Sequence, residues 1–351
     1  MRLAVLHTEF ASYFIACLQR FQARHTAELL IHAWPPHPDA PFDFHNLRLP
    51  GEVFDRRESA DDVILERVRA FSPDAVLTCG WVDKGYMRVC RRLRAEGIPV
   101  IAGCDTQYTG SRRQWLGKLS APMHLHRSID VIWAAGERQK RLASFLGYPA
   151  DRIWEGYYSC DLERFAMVES AGAGRRWSFV FVGRCVESKG APILAEAYRR
   201  YAGQVTQPWP LRVAGTGPLE AVLREAGATG EGFVQPENLP ELLAEAGVLV
   251  LPSLSEPWGG VVHEAAAAGL SLLCSRACGA ADRFLEEGQN GFWAETGSVE
   301  ALADGMMTFH HLDDAMLERF SLRSRELARQ ISPDSWADTL YEGVMKWRVL
   351  G

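Results

Sequence analysis

Short apolar runs alternate along the chain with longer stretches in which apolar residues recur at helical spacing. Short buried runs that alternate with helices are typical of parallel strands joined by crossover helices. Strands are predicted at 2–7, 27–34, 74–80, 99–104, 131–135, 177–182, 211–214, 232–234, 247–251 and 270–274. Helices are predicted at 10–21, 60–71, 84–96, 114–127, 137–146, 191–201, 239–246, from about 260, over 300–329 and at 333–347. The pattern therefore predicts an α/β fold.

The alternation is interrupted between residues 157 and 176 and resumes at Trp177. Small residues dominate Ala171-Gly-Ala-Gly-Arg-Arg176, as in a flexible linker, and prolines make 35–50 a predicted loop. A chain of 351 residues has the length of about two domains. We therefore predict Rossmann-like domains at 1–160 and 161–332 and a final helix within 333–351.

One stretch of the second domain, Leu251 to Gly269, has the layout strand, turn and helix. The N–H groups at the start of such a helix face the crevice at the carboxyl end of the sheet, where phosphates bind well. Glu256 stands in the turn, and Glu264 lies on the helix within a run of Val and Ala that should be buried. A buried carboxylate without a partner is costly. The hydroxyl and phosphate groups of a nucleotide sugar would suit both features, whereas exposed loop and helix acids are the alternative.

Two other turns of the second domain follow predicted strands. Arg184 and Lys189 come after the strand at 177–182, and Gly215-Thr-Gly-Pro218 comes after the strand at 211–214. A guanidinium and an ammonium at a strand end can clamp a diphosphate, and glycines allow a ligand to approach the backbone closely. Solvated surface charges and an ordinary turn explain the same residues equally well.

Composition excludes several classes of protein. A net charge of -6 argues against general nucleic-acid binding, and no apolar run reaches the roughly 20 residues of a membrane span. The amino terminus lacks the features of a signal peptide. The eight cysteines form no C-x-x-C pair, which favours buried thiols in a reducing cytoplasm. The histidines show no metal-ligand spacing, so no metal site is expected.

Basic runs at 88–94 and at 112–113 are typical of solvated helix faces. A patch for an anionic acceptor or a membrane surface is the alternative. We therefore expect a cytoplasmic protein, with peripheral contact at the inner face of the membrane left open.

Three motifs resemble, in order and spacing, the retaining glycosyltransferases of family four, which have the GT-B fold. They are Val182–Gly190, Ala214–Pro218 and Pro252–Ala265, and the last contains two glutamates separated by seven residues. The likeness is strong over 157–310 and only architectural before that. It implies two doubly wound Rossmann-like domains that face a central cleft, with the final helix crossing back to the first domain. The first domain would bind the acceptor and the second the donor.

The resemblance also implies roles for individual residues. Arg184 and Lys189 would hold the donor diphosphate and stabilise its charge as it leaves, while Glu256 would face the transferred sugar. Glu264 would bind the ribose hydroxyls. The donor would also lie against Gly183, Gly215, Gly217, Val234, Gln235, Trp258, Gly259, Gly260 and Val261. No metal or other cofactor is expected, because two cations would neutralise the leaving diphosphate.

The first domain departs from the family pattern. Where family members have a glycine-rich loop after the first strand, this chain has His7-Thr-Glu-Phe10. Where they have a histidine beyond the strand at 99–104, it has Cys104-Asp-Thr-Gln107. Asp105 is the nearest polar candidate for contacting the sugar or the acceptor, and we count it among the catalytic candidates.

The predicted activity is retaining, metal-independent transfer of a hexosyl group from a UDP- or GDP-sugar to a glycan, a lipid-linked glycan or a small metabolite, as in polysaccharide biosynthesis. One alternative is a nucleotide-sugar 2-epimerase of the same architecture, against which the glutamate spacing argues. Another is a catalytically silent subunit that binds a sugar nucleotide. The base, the sugar, the acceptor and the oligomeric state stay open.

Overall fold

The computed structural model describes residues 1–8, 10–35, 49–167 and 177–350. The predicted linker at 171–176 and most of the predicted loop at 35–50 lie outside them. The chain divides into two compact units, one formed by Met1–Cys160 with Ile331–Gly351 and the other by Asp161–Gln330. Each unit contains a parallel sheet, so the predicted α/β class is confirmed.

The first sheet has seven strands in the order β3-β2-β1-β4-β5-β6-β7. They are β1 (Arg2–His7), β2 (Glu28–Ala33), β3 (Glu52–Asp55), β4 (Ala75–Thr78), β5 (Val100–Cys104), β6 (Val131–Ala134) and β7 (Ile153–Glu155). The chain adds β2 and β3 on one side of β1 and then continues with β4 on the other. This reversal is the switch point of a doubly wound sheet.

The second sheet has six strands in the order β10-β9-β8-β11-β12-β13. They are β8 (Phe179–Val182), β9 (Leu211–Ala214), β10 (Thr229–Gly232), β11 (Val248–Leu251), β12 (Ser271–Ser275) and β13 (Gly291–Ala294). Here the order of strands reverses between β8 and β11. Crevices for ligands in such sheets lie at the carboxyl ends of the strands at this point.

Helices cover both sheets. They are α1 (Ser12–His25), α2 (Asp61–Phe71), α3 (Lys84–Ala95), α4 (Arg112–Ser120), α5 (Glu137–Phe145), α6 (Leu162–Met167), α7 (Ala191–Ala202), α8 (Glu220–Glu225), α9 (Leu239–Ala244), α10 (Gly260–Ala267), α11 (Ala281–Phe284), α12 (Val299–His310), α13 (Asp314–Ala328) and α14 (Pro333–Leu350). The helix predicted at 114–127 is wrong in its extent, because α4 ends at Ser120 and a 3-10 turn containing Pro122 follows. Proline lacks the N–H that a continuing helix needs.

Helix α14 completes one face of the first sheet. Its Trp336 is 1% exposed and stacks on Trp133 of β6 with ring centroids 4.8 Å apart. The indole N–H of Trp336 donates to the Tyr157 carbonyl at 2.7 Å, so the polar end of this buried ring has a partner. The same core takes Phe14 of α1 and Leu340 of α14. Helix α14 therefore supplies part of the hydrophobic core of the first unit.

Candidate functional site

Three loops of the second unit meet at the carboxyl ends of the neighbouring strands β9, β8 and β11. The loop after β8 lies in the middle. Its Gly183 N–H donates to the Ala214 carbonyl at 2.9 Å, and its Cys185 N–H donates to the Thr216 carbonyl at 2.9 Å. On the other side, its Ser188 carbonyl accepts from the Leu254 N–H at 2.9 Å. The predicted motifs around 183–190, 215–218 and 252–260 therefore form one continuous backbone surface at the switch point of the sheet.

The glycines of the loop after β9 are needed for this close packing. Gly215 has a φ of +144°, and a Cβ there would lie 1.9 Å from the Gly183 carbonyl oxygen. Gly217 has a φ of +154°, and a Cβ there would lie 2.5 Å from the Cys185 carbonyl oxygen. Any side chain would force the two loops apart. These glycines thus have a structural role of their own, whatever binds beside them.

A lysine–glutamate ion pair joins two of the loops. Lys189 Nζ contacts Glu256 Oε2, and the two side chains are 23% and 9% exposed. The Ser253 hydroxyl lies 3.5 Å from the same carboxylate oxygen, and the Glu256 carbonyl accepts from the Gly279 N–H at 3.0 Å. A carboxylate this deeply buried needs a charged or hydrogen-bonded partner. The sequence suggested separate ligand contacts for Lys189 and Glu256 but gave no sign that they pair.

Glu264 lies on α10 and is 8% exposed, as the surrounding Val and Ala residues predicted. Burial raises the pKa of its carboxyl group to about 7, although the positive charge of Arg164 opposes this shift. No donor among the described residues forms a hydrogen bond with its carboxylate. Arg164, on α6, is a functional candidate that the sequence missed, because α6 itself was not predicted and the two residues lie far apart in the chain.

The neighbouring His263 has a structural role. Its Nε2 lies 2.8 Å from the Ala328 carbonyl oxygen, and its ring stacks on Phe284 at 4.1 Å. Burial lowers its pKa to about 4. The ring is therefore neutral near pH 7 and donates its proton to a backbone carbonyl.

The start of α10 presents donor groups at the same edge. The N–H groups of Gly260 and Val261 belong to the first turn and have no partner within the helix. Gly259, just before the helix, has a φ of +90°, in the left-handed region that glycine tolerates best. Trp258 is 5% exposed, and its indole N–H has no hydrogen-bond partner among the described residues. Unpaired N–H groups at a helix start form a natural site for an anion.

The remaining predicted residues lie at the ends of other strands. Arg184 follows β8 and is exposed. Val234 and Gln235 are half-buried and follow β10, the edge strand beside β9. The predicted strand at 232–234 is wrong by about three residues, because β10 covers Thr229–Gly232.

Asp105 belongs to the first unit, where it follows β5. Its side chain is exposed and accepts a hydrogen bond of 3.4 Å from the Tyr158 hydroxyl. Its carbonyl accepts from the Gln139 side chain at 2.9 Å. Two neighbouring residues thus hold the loop while its carboxylate stays in contact with solvent.

The described ranges contain neither a metal-ligand cluster nor a membrane-spanning helix. No group of three or more His, Cys, Asp or Glu residues is arranged there to hold a metal ion. None of the helices described there is long and apolar enough to span a bilayer.

Comparison with known proteins identifies the second unit. Residues 164–327 match the family described as glycosyl transferases group 1. The chain is 27% identical over 216 residues to a putative colanic acid biosynthesis glycosyltransferase, WcaL, of Salmonella typhimurium, a match that covers 58% of this chain and 51% of WcaL. It is 36% identical over 277 residues to the sulfoquinovosyl transferase SQD2 of Arabidopsis thaliana, covering 71% of this chain and 52% of SQD2. The chain thus spans about half the length of these curated relatives.

Solved structures share the whole architecture. Anabaena HepE in complex with UDP has a TM-score of 0.77 at 15% identity, over 99% of this chain and 100% of HepE. The HepE complex with UDP-glucose has a TM-score of 0.74 at 15% identity, over 98% of this chain and 99% of HepE. At this identity the likeness speaks for the fold, and it confirms the predicted pair of Rossmann-like domains. The second unit thus matches the group 1 glycosyl transferases over residues 164–327, and the architecture of the chain is the GT-B fold.

Proposed function

We propose that this chain transfers a hexosyl group from a nucleotide-diphosphate sugar to an acceptor hydroxyl, with retention of the anomeric configuration and without a metal ion. The observation that carries the proposal is the meeting of the Lys189–Glu256 pair and the open start of α10 at one edge of the second sheet. The HepE complexes with UDP and UDP-glucose support a nucleotide sugar as donor. A UDP-sugar is therefore the first donor to test, followed by a GDP-sugar.

The diphosphate would lie against the cations and N–H groups of this edge. The charge of Lys189 is offset by Glu256, so Arg184, which is exposed and forms no ion pair with a described residue, is the cation of the loop after β8 that remains for the diphosphate. The N–H groups of Gly260 and Val261 add fixed dipoles. Donors that are already in place stabilise a leaving diphosphate without the cost of reorganising.

The two glutamates would bind the hydroxyl groups of the donor. Glu256 is held by Lys189 and accepts hydrogen bonds from the transferred sugar, which gives a carboxylate a reason to lie beside a phosphate site. Glu264 is buried and has no donor among the described residues, and the ribose hydroxyls supply the donors that it lacks. Both glutamates therefore act as acceptors for hydroxyl groups, and neither needs to be a nucleophile.

In the reaction, the bond between the anomeric carbon and the diphosphate oxygen breaks, and a bond from the acceptor oxygen forms on the same face of the sugar. The acceptor proton passes to the leaving phosphate oxygen, so no proton needs to be stored on the protein. Lys189 and Arg184 stabilise the charge on the diphosphate as it leaves. The first unit takes the acceptor, and Asp105, with its exposed carboxylate, contacts the sugar or the acceptor hydroxyl.

The proposal is tested first by thermal unfolding with UDP, GDP, ADP and dTDP, with and without EDTA. A nucleotide at 100 times its dissociation constant stabilises by about 2.7 kcal/mol, which raises Tm by several degrees for a protein of this size. We expect one nucleotide to stabilise the wild type but not Glu264→Ala. The matched control is Glu318→Ala, which removes an exposed carboxylate from α13 of the same unit. Absence of a shift with every nucleotide would contradict the donor site.

Turnover separates transfer from binding alone. With the stabilising nucleotide offered as its sugar donor, release of the free nucleoside diphosphate is measured in the presence of a panel of hydroxyl acceptors. We expect release that depends on an acceptor and is unchanged by EDTA. Binding without release would favour a silent subunit, and isomerisation of the donor without any acceptor would favour an epimerase.

A further inference from the structure

Helix α4 of the first unit turns its apolar residues outward. Trp115, Leu116 and Leu119 are 52%, 67% and 73% exposed. The inward positions are occupied by Gln114 and Gly117, and the helix has no fully buried residue. A surface helix of a globular protein normally turns its leucines toward the core. Helix α4 therefore exposes apolar side chains that a surface helix would normally bury, which indicates that another surface covers its outer face.

This orientation is fixed by specific contacts. The side-chain carbonyl of Gln114 accepts from the N–H groups of Thr109 and Gly110 at 2.8 and 3.0 Å, and its amide donates to the Gln107 carbonyl at 2.8 Å. A Cβ placed on Gly117 would lie 3.8 Å from the Leu146 side chain. The helix cannot rotate its leucines inward without losing all three hydrogen bonds of Gln114.

The outer face continues beyond the helix as one apolar stripe. Met123, in the turn after α4, is 64% exposed and stands four residues after Leu119. Trp115, Leu116 and Leu119 have the spacing of a single helix face, and Met123 follows in the turn after Ser120. Exposed apolar side chains scattered singly are ordinary, whereas a contiguous group of this size marks an interaction surface.

The charge around the stripe has one sign. Between Asp105 and Asp130 the chain has four Arg or Lys residues (112, 113, 118 and 127) and no carboxylate, although its net charge is -6. Lys118 Nζ lies 4.7 Å from the ring centroid of Phe145, so it stays at the base of the stripe. Apolar side chains rimmed by cations suit a surface that is apolar inside and anionic at its boundary.

An arginine-lined groove adjoins this segment. It has a volume of about 710 Å³ and is lined by four arginines of α3 together with Arg127, and by the two carboxylates of Asp61 and Asp62 on α2. Arg88 pairs with Asp61 and Arg94 with Asp130, whereas Arg91 makes no ion pair within the described ranges. Residues of α3 share one core with Ala121 and Leu125 of the segment after α4. Groove and stripe therefore lie on the same face of the first sheet.

We propose that α4 and the turn after it dock the first unit on the surface of a membrane that contains anionic lipids, with the arginine groove taking headgroup phosphates. A second copy of the chain fits less well, because a two-fold contact would place the cations around the stripe of both copies in one interface, where this segment has no carboxylate to offset them. Each cation near an anionic membrane surface contributes about fivefold in affinity, and the stripe adds its buried apolar area. This inference goes beyond the proposed transfer reaction and does not depend on it.

The test is sedimentation of the full chain with vesicles of phosphatidylcholine, alone or with about 30% phosphatidylglycerol. We expect binding to the anionic vesicles that weakens at high salt. Arg112→Gln with Arg113→Gln should weaken binding by roughly 30-fold at low salt, following the fivefold contribution of each cation. Leu116→Ser with Leu119→Ser should weaken it by at least about tenfold, because two apolar side chains no longer enter the membrane.

Matched controls come from the second unit, where Leu322 is 59% exposed and Arg319 and Arg329 are exposed. Leu322→Ser, and separately Arg319→Gln with Arg329→Gln, should bind vesicles as the wild type does. All these positions are exposed, so an unchanged Tm should accompany each result. The proposal is overturned if the wild type ignores anionic vesicles or if the α4 variants bind like the controls. A dimer that disappears in Leu116→Ser with Leu119→Ser, without vesicle binding, would instead assign the stripe to a second copy.

Discussion

At the scale of single residues, the ion pair between Lys189 and Glu256 dominates the candidate site. Removing one member of a buried pair leaves the other charge unpaired, which costs about 3 kcal/mol or more. We expect Lys189→Ala to lower the free energy of unfolding by about 2–3 kcal/mol, since Lys189 is 23% exposed and partly solvated. Urea unfolding of Lys189→Ala, Glu256→Gln and the double variant measures this coupling.

The double variant should be more stable than Lys189→Ala, because it leaves no unpaired carboxylate. If the losses of unfolding free energy in the two single variants add up to the loss in the double variant, Lys189 and Glu256 are not coupled. Their contact then contributes nothing to stability. Glycosyl transfer should be lost in both Lys189→Ala and the double variant, although the double variant is the more stable of the two. This result distinguishes a catalytic cation from one needed only to hold Glu256.

Glu264 leads to a prediction about pH. Burial raises its pKa from 4.5 to about 7 in the folded chain. The folded state then holds a proton that the unfolded state has lost, so stability falls as pH rises from about 4.5 to about 7 and levels off above that. The full effect is about 3 kcal/mol at most. Glu264→Gln removes this titration. The unfolding free energy of the variant minus that of the wild type should therefore be larger at pH 8 than at pH 4.5.

Chemical denaturation at several pH values measures the effect, and Glu318→Gln is the control with an exposed carboxylate. Identical pH profiles for the wild type and Glu264→Gln would show that the pKa of this carboxyl group is the same in the folded and the unfolded chain. In that case the carboxylate has a partner of its own, and its need for ligand hydroxyls disappears.

At this scale the sequence predicted some properties and missed others for a clear reason. The burial of Glu264 follows from the local run of Val and Ala. The Lys189–Glu256 pair and the charge of Arg164 near Glu264 bring together residues from different loops and helices. Local patterns predict burial, but a pairing between distant segments requires the path of the chain in space.

At the scale of elements, the strands that the sequence missed lie at the edges of the sheets. β3 and β7 flank the first sheet, and β13 is an edge of the second. β10, whose position was predicted incorrectly, is the other edge. Central strands are buried on both faces and form continuous apolar runs, whereas each of these edge strands has at least two residues that are not buried. The four residues of β10, TGEG, have no hydrophobic pattern at all.

The glycine turn after β9 gives a prediction at the same scale. Gly215→Ala should destabilise the second unit by roughly 3 kcal/mol or more, because the positive φ is strained for alanine and the new Cβ meets the Gly183 carbonyl. Gly288→Ala is the matched control, since Gly288 has a φ of +70° and no atom within 4 Å of the added Cβ. It should lose only the roughly 1–2 kcal/mol of backbone strain.

Denaturant unfolding of the two variants separates the cost of the clash between the loops from the cost of the strained backbone φ. If both variants lose the same stability, the loops after β8 and β9 can separate without cost. The close packing would then not be what selects glycine at position 215, and backbone approach by a ligand would become the better reason.

At the scale of the whole molecule, the chain leaves the first unit at Cys160 and returns to it at Ile331. The apolar spacing of Trp336, Leu340 and Val344 predicted the last helix, and all three residues are at most 1% exposed. The hydrophobic core of the first unit is therefore incomplete until helix α14 has packed against it. The second unit, Asp161–Gln330, is continuous in sequence and has its own sheet.

This difference predicts that a change in α14 acts on one unit alone. Trp336→Ala removes a buried ring and its hydrogen bond to Tyr157, at a cost of about 4 kcal/mol. Amide hydrogen exchange should accelerate in α1 and β6, which contact this ring, while β8 and β11 keep their protection. Met345→Ala, on the same helix at a residue 38% exposed, should leave both sheets unchanged. Equal acceleration of exchange in the two sheets would mean that the two units unfold cooperatively. In that case Trp336→Ala would also reduce the stabilisation of the second unit by a nucleotide.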